Sequence, residues 1–567
     1  MSANRELSSI FQKFATVLEI SGASGFKINA HVKVARVLED LVEDIASIKD
    51  PEALPGVGKS SAAKIKEYLT TGEIKELDEL LNSIPAGLLD LMQVQGLGPK
   101  TVRRLWQEAD VVDIPTLKAA IADGRLESMP RMGKKTIDNI SDSLAFLEGA
   151  SARSRIGDAM PIAELVVTTL EKISGVSKIE FAGSLRRGKE TIGDIDILAS
   201  TIEPELLAEA FCTLKGVTKV LVRGVTKCAV RLDCGMQVDL RIVEEDAFGA
   251  ALMYFTGSKE HNIMVRERAI KQNKRLNEYG LFNAQEACVA SHTERAMYED
   301  LGLPFIPPEL REGKQELTIE HTPELIQLED IKSDLHDHTI ASDGHLTIVA
   351  LAEEAKQRGF HTIAVTDHSQ SSVQANGLSP ERLLQHISDI KQANEAVKGI
   401  NILAGSEVDI HADGRLDYED ELLALLDIVV ASPHSALKQD SKKATARLLK
   451  AIEHPLVHII GHPTGRVLGK RPGLDPDMPS LFAAAAACNT ALEINANSWR
   501  LDLRDTHVRG AIDAGAMISI NTDAHAANDF DQLRYGILTA RRGWLTPDKC
   551  INCLTFDALM AWLARSC

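Results

Sequence analysis

Residues 183–198 read GSLRRGKETIGDIDIL, and the fold of the middle of the chain turns on this stretch. Asp194 and Asp196 stand two apart in an apolar, β-branched run, so a strand puts both carboxylates on one face. Asp239, in the run QVDLR, completes a cluster of three from a neighbouring strand. Three carboxylates at one point repel one another unless divalent cations lie between them. Two such cations are the standard device for in-line attack at phosphorus. Upstream, Gly183 and Ser184 mark a turn where backbone N–H groups can meet a triphosphate, and Arg187 follows as a phosphate clamp. An Asp-x-Asp at an exposed strand end is commonplace by itself. Joined to Gly-Ser-x-x-Arg and a third Asp, it points to phosphoryl transfer.

Outward from this core, residues 151–245 alternate helix and strand. KIEFAGSLRRG, IDILAS, KCAVRLDC and MQVDLRIV are the predicted strands. Residues 246–304 return to helix, and the Pro-rich, charged stretch 305–330 reads as a linker. From 331 onward, runs such as HTIAVTD, INILAGSEVDI, DIVVASPHS, VHIIGHP, ALEINAN and MISINTDAH alternate with helical stretches, the rhythm of parallel βα units. Polar residues cluster at the C-terminal ends of these strands, where a βα barrel builds its sites.

Residues 1–150 read as helical, and three similar segments punctuate them: LPGVGKSSAAKIKEYL (54–69), VQGLGPKTVRRLW (94–106) and MPRMGKKTIDNI (129–140). Each is a short loop before a polar, basic helix start. Gly56, Gly58, Gly96 and Gly98 can turn sharply and bare backbone N–H groups at a helix N-terminus, a phosphate site that needs no base readout. Lys59, Lys100, Lys134 and Lys135 add charge to it. For any one copy, a plain helix-turn-helix joint explains the glycines equally well; three copies in tandem favour phosphate contact.

The C-terminal region carries 13 of the 17 histidines, which points to metal chemistry there. SDLHDHTIASDGH puts His336 and His338 on one strand face, with Asp343 in the loop that follows. His368, Glu407, His434, His462, Asp523 and His525 occupy later strand ends. Any one of these alone would be an ordinary core or surface residue; nine in this rhythm are a ligand set. Mixed imidazole and carboxylate donors suit Mn²⁺, Zn²⁺ or Fe²⁺ better than Mg²⁺ or Ca²⁺. The expected chemistry is hydrolysis of a phosphoester. His345, His361 and His411 flank these motifs and are not expected to be ligands, and Arg500 is either a surface arginine or a contact to substrate phosphate. Cys550 and Cys553 form one CxxC, poor evidence for zinc without a second pair.

The 567 residues suffice for about three to five domains. No apolar run approaches a membrane span, the N-terminus lacks a signal-peptide core, and eight Cys form no disulfide framework, so a reducing cytoplasm is expected. The formal net charge of −18 argues against nucleic acid only while it is averaged over all faces. Part of the acid belongs to metal sites. Arg103–Arg104, Lys134–Lys135 and Arg186–Arg187 offer local basic clusters for DNA, with modest, salt-sensitive affinity.

GSLRRGKETIGDID, continued through QVDLR, YFTGS (254–258) and LNEYGLF (276–282), resembles the signature of family X DNA polymerases, the family of DNA polymerase beta. The likeness covers about residues 1–315. It implies that Asp194, Asp196 and Asp239 hold two Mg²⁺ or Mn²⁺ ions, with Asp239 helping to deprotonate the primer 3′-hydroxyl. It assigns Gly183, Ser184 and Arg187 to the dNTP triphosphate, and Tyr254, Phe255 and Gly257 to the sugar pocket. Asn262 and Arg266 would meet the nascent base pair and template. The Gly-rich repeats resemble helix-hairpin-helix motifs, the second and third departing from the family form.

Lys64 matches the Schiff-base nucleophile of the family's 5′-deoxyribose phosphate lyase, and Lys27 a phosphate-binding partner. Ser60 and His31 depart from the pattern, and a solvated helix lysine touching DNA is the other reading of Lys64. Residues 331–567 resemble the PHP (polymerase and histidinol phosphatase) family, a distorted (βα)₇ barrel with three divalent metals. That likeness groups His336, His338, Glu407 and Asp523 on one metal; Glu407, His434 and His462 on a second; and Asp343, His368 and His525 on a third.

The resemblance implies a multidomain chain. A lyase-like helical domain spans 1–82, a helix-hairpin-helix subdomain 83–150, an α+β nucleotidyltransferase palm 151–245 and a nascent-base-pair subdomain 246–315. A linker (316–330) leads to the α/β PHP barrel (331–567). The order resembles bacterial family X polymerases and implies gap filling in base-excision-type repair with 3′–5′ exonuclease activity, and further 3′-phosphatase or AP endonuclease action. A monomer in the bacterial cytoplasm at the nucleoid, acting on gapped or primer-template DNA, is expected. The alternatives are a small-molecule phosphatase of the histidinol phosphatase kind on a DNA-binding scaffold, and a DNA-binding adaptor with neither activity.

Overall fold

The structure is a computed structural model. It describes residues 3–564 except 40, 42–44, 55, 93, 95, 96, 131, 135, 139, 142 and 145–152. Two compact units emerge, residues 1–151 and 152–567. Among the described residues no helix is long and apolar enough to cross a membrane.

The first unit is helical, as its periodicity predicts. Helix Ala3–Ser21 carries Leu7, Phe11, Phe14 and Leu18 on one stripe, buried against Val34 and Leu38 of helix Gly25–Glu39. A second core gathers Val102 and Leu105 of helix Pro99–Ala109 with Leu117 of helix Ile114–Ala122. Truncating Leu105 to Ala would cost about 2–5 kcal/mol. Asp113 caps the last of these helices by accepting from the Thr116 N–H at 2.8 Å.

The second unit opens with a five-stranded sheet in the spatial order Val176–Phe181, Ile195–Thr201, Gln237–Ile242, Lys227–Leu232, Val217–Val222. Its one parallel pair joins Ile195–Thr201 to Gln237–Ile242. Helices Ile156–Leu170 and Pro204–Cys212 cover the sheet through Ala159, Ala163, Leu170, Leu207 and Phe211. Leu468, Leu501 and Tyr535 from the C-terminal region belong to the same core.

Four expectations are corrected here. The strand predicted through 183–188 stops at Phe181, and Gly183–Arg186 forms a single helical turn, because Gly183 takes φ +62° and reverses the extended path. Asp194 immediately precedes its strand rather than lying in it. The stretch 246–304 is not all helix. Between helix Lys259–Lys271 and helix Glu294–Asp300 lie three antiparallel strands, Arg275–Asn277, Gly280–Phe282 and Cys288–Ala290. Three residues are too few to show a period of two, and the first turn is set locally by Asn277 Oδ1 accepting the Tyr279 and Gly280 N–H groups. The segment read as a linker is packed rather than solvated: Glu316 and Ile326 are fully buried, and Leu325 is nearly so.

From Ser333 onward seven parallel strands follow one another in sequence order: Ser333–Asp337, Thr362–Val365, Asn401–Asp409, Ile428–Ser432, Ile459–Ile460, Ala491–Asn495 and Ile518–Asn521. The first and last meet through the Asp337–Ala524 bridge and the His338 N–H donating to the Ala524 carbonyl at 2.9 Å. The result is a nearly closed (βα)₇ barrel with an apolar shell. Every strand shows buried residues on both faces, as parallel strands between helices and a filled interior require.

Candidate functional site

The parallel pair of the first sheet sets Asp196 directly opposite Asp239. Asp194 lies two residues before Asp196, and both line a cavity of about 1090 Å³. Gly183 is dictated by this cluster, since a Cβ there would lie 2.2 Å from Asp196 Oδ2. Gln237 Nε2 donates to Asp239 Oδ2 at 2.7 Å, and Lys227 Nζ lies 3.7 Å from Oδ1. Burial, then Asp194 and Asp239, push the Asp196 carboxyl up to about 7. That is the mutual repulsion foreseen for three clustered carboxylates, and bound divalent cations would remove it.

Gly183, Ser184, Arg187, Tyr254, Phe255, Gly257, Asn262 and Arg266 line the same cavity, so every residue assigned to the nucleotide pocket meets the carboxylates there, together with Arg266. Asn262 Nδ2 donates to the Tyr254 carbonyl at 2.7 Å, and Tyr254 meets Phe255 edge to face. Arg186 does not belong to a DNA face. It is forked onto Glu294 at 2.9 and 2.7 Å and donates to Thr256 Oγ1, while buried Arg311 shares Glu294 Oε1 with it at 2.5 Å. Arg186, Glu294 and Arg311 thus fasten the sheet to the helical segment behind it.

In the barrel, all nine expected ligands converge. Glu407 lies at the centre, with Oε1 3.4 Å from His336 Nε2, 3.2 Å from His434 Nε2 and 2.9 Å from His462 Nε2. Its Oε2 lies 3.7 Å from His338 Nε2 and 2.8 Å from His368 Nδ1. His338 Nε2 is 3.1 Å from Asp523 Oδ1, and Asp343 is 3.6 Å from His368 and 3.3 Å from His525. Three sets of donor atoms are close enough for a shared ion: His338, Asp343, His368 and His525; His336, His338 and Glu407; and His368, Glu407 and His434. These overlap the three expected groupings but let His338 and His368 each face two of them.

The donor set fits metal ions by another measure. His336 Nε2, both ring nitrogens of His338, His368 Nδ1 and Glu407 Oε2 are buried and make no hydrogen bond, since their short approaches to one another and to Asp523 lack hydrogen-bond geometry. Buried polar atoms are seldom left so unless something else satisfies them.

Glu493, absent from the expected ligands, orients this site. Its Oε1 receives His336 Nδ1 at 2.7 Å and Asn521 Nδ2 at 2.9 Å, and its Oε2 receives the His462 N–H at 2.7 Å. A donated Nδ1–H leaves the Nε2 lone pair facing the cluster. Asp409 does the same for His434 at 3.0 Å. The sequence signal was available in ALEIN, an acidic residue alternating with apolar ones in a buried strand. Glu407 and Asp523 are held well below the usual carboxylate range, because the histidines around them outweigh burial. His434 and His525 are raised to about 9 by their carboxylates against burial, whereas burial and its neighbours His525 and His368 lower His338 to about 4. His361 is engaged by Thr362 and Leu554, and His411 by Asp417. Cys550 is buried in the barrel core.

In the helical unit, Lys64 is not a solvated lysine. It is 6% exposed, with Nζ 2.8 Å from Glu76 and 2.9 Å from Ser60 Oγ, above the Phe14 ring. Lys27 meets the other oxygen of Glu76 at 2.9 Å, and His31 stacks on Phe14. The helix entries of the first two Gly-rich repeats share one geometry. Gly58 and Gly98 both cap their helices at φ −89° and −88° with ψ 168°. Neither requires glycine for its backbone, and a Cβ on either, or on Gly133, would meet nothing within 4 Å. Gly56 does need its φ of +98°. Lys59 and Lys100 begin their helices, Lys134 follows Gly133 at the third helix start, and Gly96 and Lys135 lie outside the described residues.

Comparison with known proteins agrees with this arrangement. The DNA polymerase beta palm model matches residues 157–232 and the DNA polymerase beta thumb residues 251–312. A helix-hairpin-helix domain matches 2–74, a SAM-like helix-hairpin-helix tandem 88–145, and the PHP domain 334–470. These parts define a nucleotidyltransferase joined to a metal-dependent phosphoesterase barrel. The chain belongs to the family X DNA polymerases that carry a C-terminal PHP domain. It is 37% identical over 566 residues to the DNA polymerase/3′-5′ exonuclease PolX of Bacillus subtilis (strain 168), which covers 99% of both chains. A probable phosphatase of Shewanella sediminis is 29% identical over 242 residues, 41% of this chain and 93% of its own. Another, from Thermoanaerobacter sp. (strain X514), is 30% identical over 231 residues, 39% of this chain and 89% of its own.

Proposed function

We propose that this chain is a gap-filling DNA repair polymerase that also removes 3′-terminal nucleotides with its barrel. The carrying observation is the coexistence of two centres, Asp194 and Asp196 in their cavity with Asp239 in register beside Asp196, and the nine converging ligands of the barrel. Residues 1–82 and 83–150 grip DNA, 151–245 and 246–315 synthesise, 316–330 connect, and 331–567 degrade. The phosphatase reading is not favoured, because the relatives named probable phosphatases match only 41% and 39% of this chain whereas the polymerase/exonuclease matches 99% of it.

At both centres, bound divalent ions supply Lewis-acid stabilisation of charge on phosphoryl oxygens and lower the pKa of the attacking oxygen. Asp194, Asp196 and Asp239 would hold two of them, Mg²⁺ or Mn²⁺, with Asp239 helping to deprotonate the primer 3′-hydroxyl. Ser184, the backbone at Gly183 and Arg187 orient the triphosphate. Tyr254, Phe255 and Gly257 shape the sugar pocket, and Asn262 and Arg266 reach the nascent pair. In the barrel, where Mn²⁺ suits the donors best, Arg500 holds the substrate phosphate: its Nη1 is buried without a partner and its Nε is 3.8 Å from Asp523 Oδ2. The same centre would also act on 3′-phosphates and at abasic sites.

Lys64 is proposed as a 5′-deoxyribose phosphate lyase nucleophile that parts from Glu76 before attack; borohydride trapping on a 5′-deoxyribose phosphate end, lost in K64A, tests it. The enzyme is proposed to be a cytoplasmic monomer working at the nucleoid.

A gapped duplex labelled at the primer 5′ end, with and without dNTPs in Mg²⁺ or Mn²⁺, tests the main reading. Extension with dNTPs and Mn²⁺-stimulated shortening without them are expected. No extension in either metal overturns the polymerase assignment, and no shortening overturns the exonuclease.

A further inference from the structure

The nucleotide cavity has a second wall that the polymerase domain does not supply. Asp505, Thr506, Thr539 and Arg542 of the barrel domain line it together with Ser184, Arg187, Asp194 and Asp196. Asp505 begins helix Asp505–Asp513 and Arg542 ends helix Leu533–Arg542. The Arg542 side chain is 4% exposed. Its Nε and Nη2 donate to Asp505 Oδ2 at 2.9 and 2.6 Å. Its Nη1 donates to the main-chain carbonyl of Arg187 at 2.8 Å and to Glu312 Oε1 at 3.0 Å.

Glu312 is therefore shared by three cations. It also receives Arg187 Nε at 3.1 Å and Lys189 Nζ at 3.0 Å, and both of those residues line the cavity. Arg187 Nη1 is held by the Thr256 carbonyl at 2.5 Å. Burial alone would push the Glu312 carboxyl up; Arg542, then Lys189, outweigh it and hold it at about 2.

A carboxylate satisfied by Arg187 alone would neutralise the very group that has to receive an anion. A second, buried arginine on the same oxygen takes up that charge and leaves Arg187 free to bind a ligand. The same arginine compensates Asp505, a carboxylate that would otherwise face a triphosphate unpaired. Like-charge contact of that kind costs affinity rather than the chemical step.

We propose that Arg542, from the nuclease barrel, is a positioning residue of the polymerase reaction, offsetting Glu312 and Asp505 beside the incoming triphosphate and fixing Arg187 in its receiving orientation. The inference rests on the reading of Arg187 as a triphosphate ligand. It makes the nucleotide site composite, so that dNTP affinity depends on the barrel even when the barrel's own metals are irrelevant.

The interface also contains a control. Arg534 pairs with Glu164 at 2.9 Å across the same two domains, and neither residue lines the cavity. R534Q therefore shows what loss of an inter-domain ion pair does away from the cavity.

The test is single-nucleotide gap filling by the full-length chain in Mg²⁺, with KM and kcat measured for the dNTP. R542Q is expected to raise KM about tenfold with kcat changed less than about threefold, since it leaves two carboxylates undercompensated. D505N added to R542Q removes the unpaired carboxylate and is expected to restore KM by about threefold. R534Q is expected to leave KM unchanged. If R542Q fails to fold, R542K, which keeps the charge and loses the fork, is expected to raise KM about threefold. A KM within about twofold of the parent for R542Q, or for R542K in its place, overturns the proposal, as does a fall in kcat with KM unmoved. R187Q separates the two layers. If it leaves KM unmoved, the reading of Arg187 falls and this inference with it; if it raises KM while R542Q does not, only this inference falls.

Discussion

The two centres solve one electrostatic problem in opposite ways. The palm gathers three carboxylates and no histidine, while the barrel surrounds three carboxylates with six imidazoles. In the palm the repulsion is only partly relieved: Lys227 stands 3.7 Å from Asp239, and Arg241 and Arg187 oppose the rise, yet Asp196 still reaches about 7 under burial and its two neighbours. In the barrel the carboxylates find partners in His434 and His525, which are raised to about 9. The palm centre is therefore finished only when cations arrive. The barrel centre is charge-compensated without them and exchanges protons for metal. An open, carboxylate-only cluster suits ions that enter with each nucleotide, and a buried mixed cluster suits ions that stay.

The sharpest way to break this comparison is to disable one centre and read both activities. D196A is expected to abolish gap filling by at least about a thousandfold while Mn²⁺-dependent 3′ shortening continues, and H338A the reverse. Gap filling that survives D196A, or 3′ shortening that survives H338A, would sink the corresponding assignment. Smaller, and confined to the barrel, is the effect of E493Q. It keeps the shape of the residue that holds His336, His462 and Asn521 but weakens the hydrogen bond that fixes the His336 tautomer. A drop of about 10–100-fold in 3′ shortening, with synthesis unaltered, is expected from removal of an orienting partner. Equal losses in both assays would mean that Glu493 merely holds the barrel together.

What could be read in the sequence divides along the same lines. Ligands at strand ends were legible because a strand's period of two and a βα rhythm are local properties: His336 and Glu407 lie within their strands, and His338, expected on the same strand as His336, lies one residue past it, as His434 and Asp523 lie two past theirs. Residues whose importance comes from distant partners were not. Arg542 and Glu312 are 230 positions apart, and nothing local marks either. Arg186 looked like half of a basic cluster for DNA, but Glu294, 108 positions away, claims it. The three short strands between 275 and 290 were hidden by their length, and the packed character of 316–330 by a composition that also describes solvated tethers.

The proton count makes the comparison quantitative. The folded values of His434 and His525 are raised above 6.5, so their contribution to stability is full below about pH 6.5 and is lost as pH rises through about 9. Metal-free protein should thus melt at progressively lower temperature between those limits, and Mn²⁺ should suppress the loss. Mn²⁺ affinity of the barrel should rise over the same window, by up to about tenfold per pH unit for each proton displaced. Asp196 is also raised, from 3.8 to about 7, so its stabilising share is present below 3.8 and gone above about 7. Metal binding in the palm should therefore stop improving near pH 7. Melting curves in chelator and in Mn²⁺, with calorimetric metal titrations of the D196A and H338A chains, read the two windows separately. Identical pH profiles for both centres would refute the contrast.

The smallest expected effect concerns the helix entries of the DNA-binding repeats, which belong to neither centre. Glycine at 58 and 98 is demanded neither by backbone angle nor by packing, so the folded chain alone gives no reason for it. Alanine loses some quality as an N-cap but restricts the unfolded chain, two effects of about 0.5–1 kcal/mol and opposite sign. G58A and G98A should accordingly leave the melting temperature nearly unchanged. If these helix entries take the phosphate contact expected of them, the new methyl groups would occupy space that a phosphate backbone needs. Affinity for gapped DNA is expected to fall about three- to tenfold with the salt dependence unaltered, because no charge is removed, whereas K59A or K100A should reduce the slope of log K against log salt by about one. Unchanged binding in G98A would reduce the glycine to a turn residue and leave the lysines as the whole contact. A lost salt slope in G98A would mean that the methyl displaces a lysine rather than a phosphate.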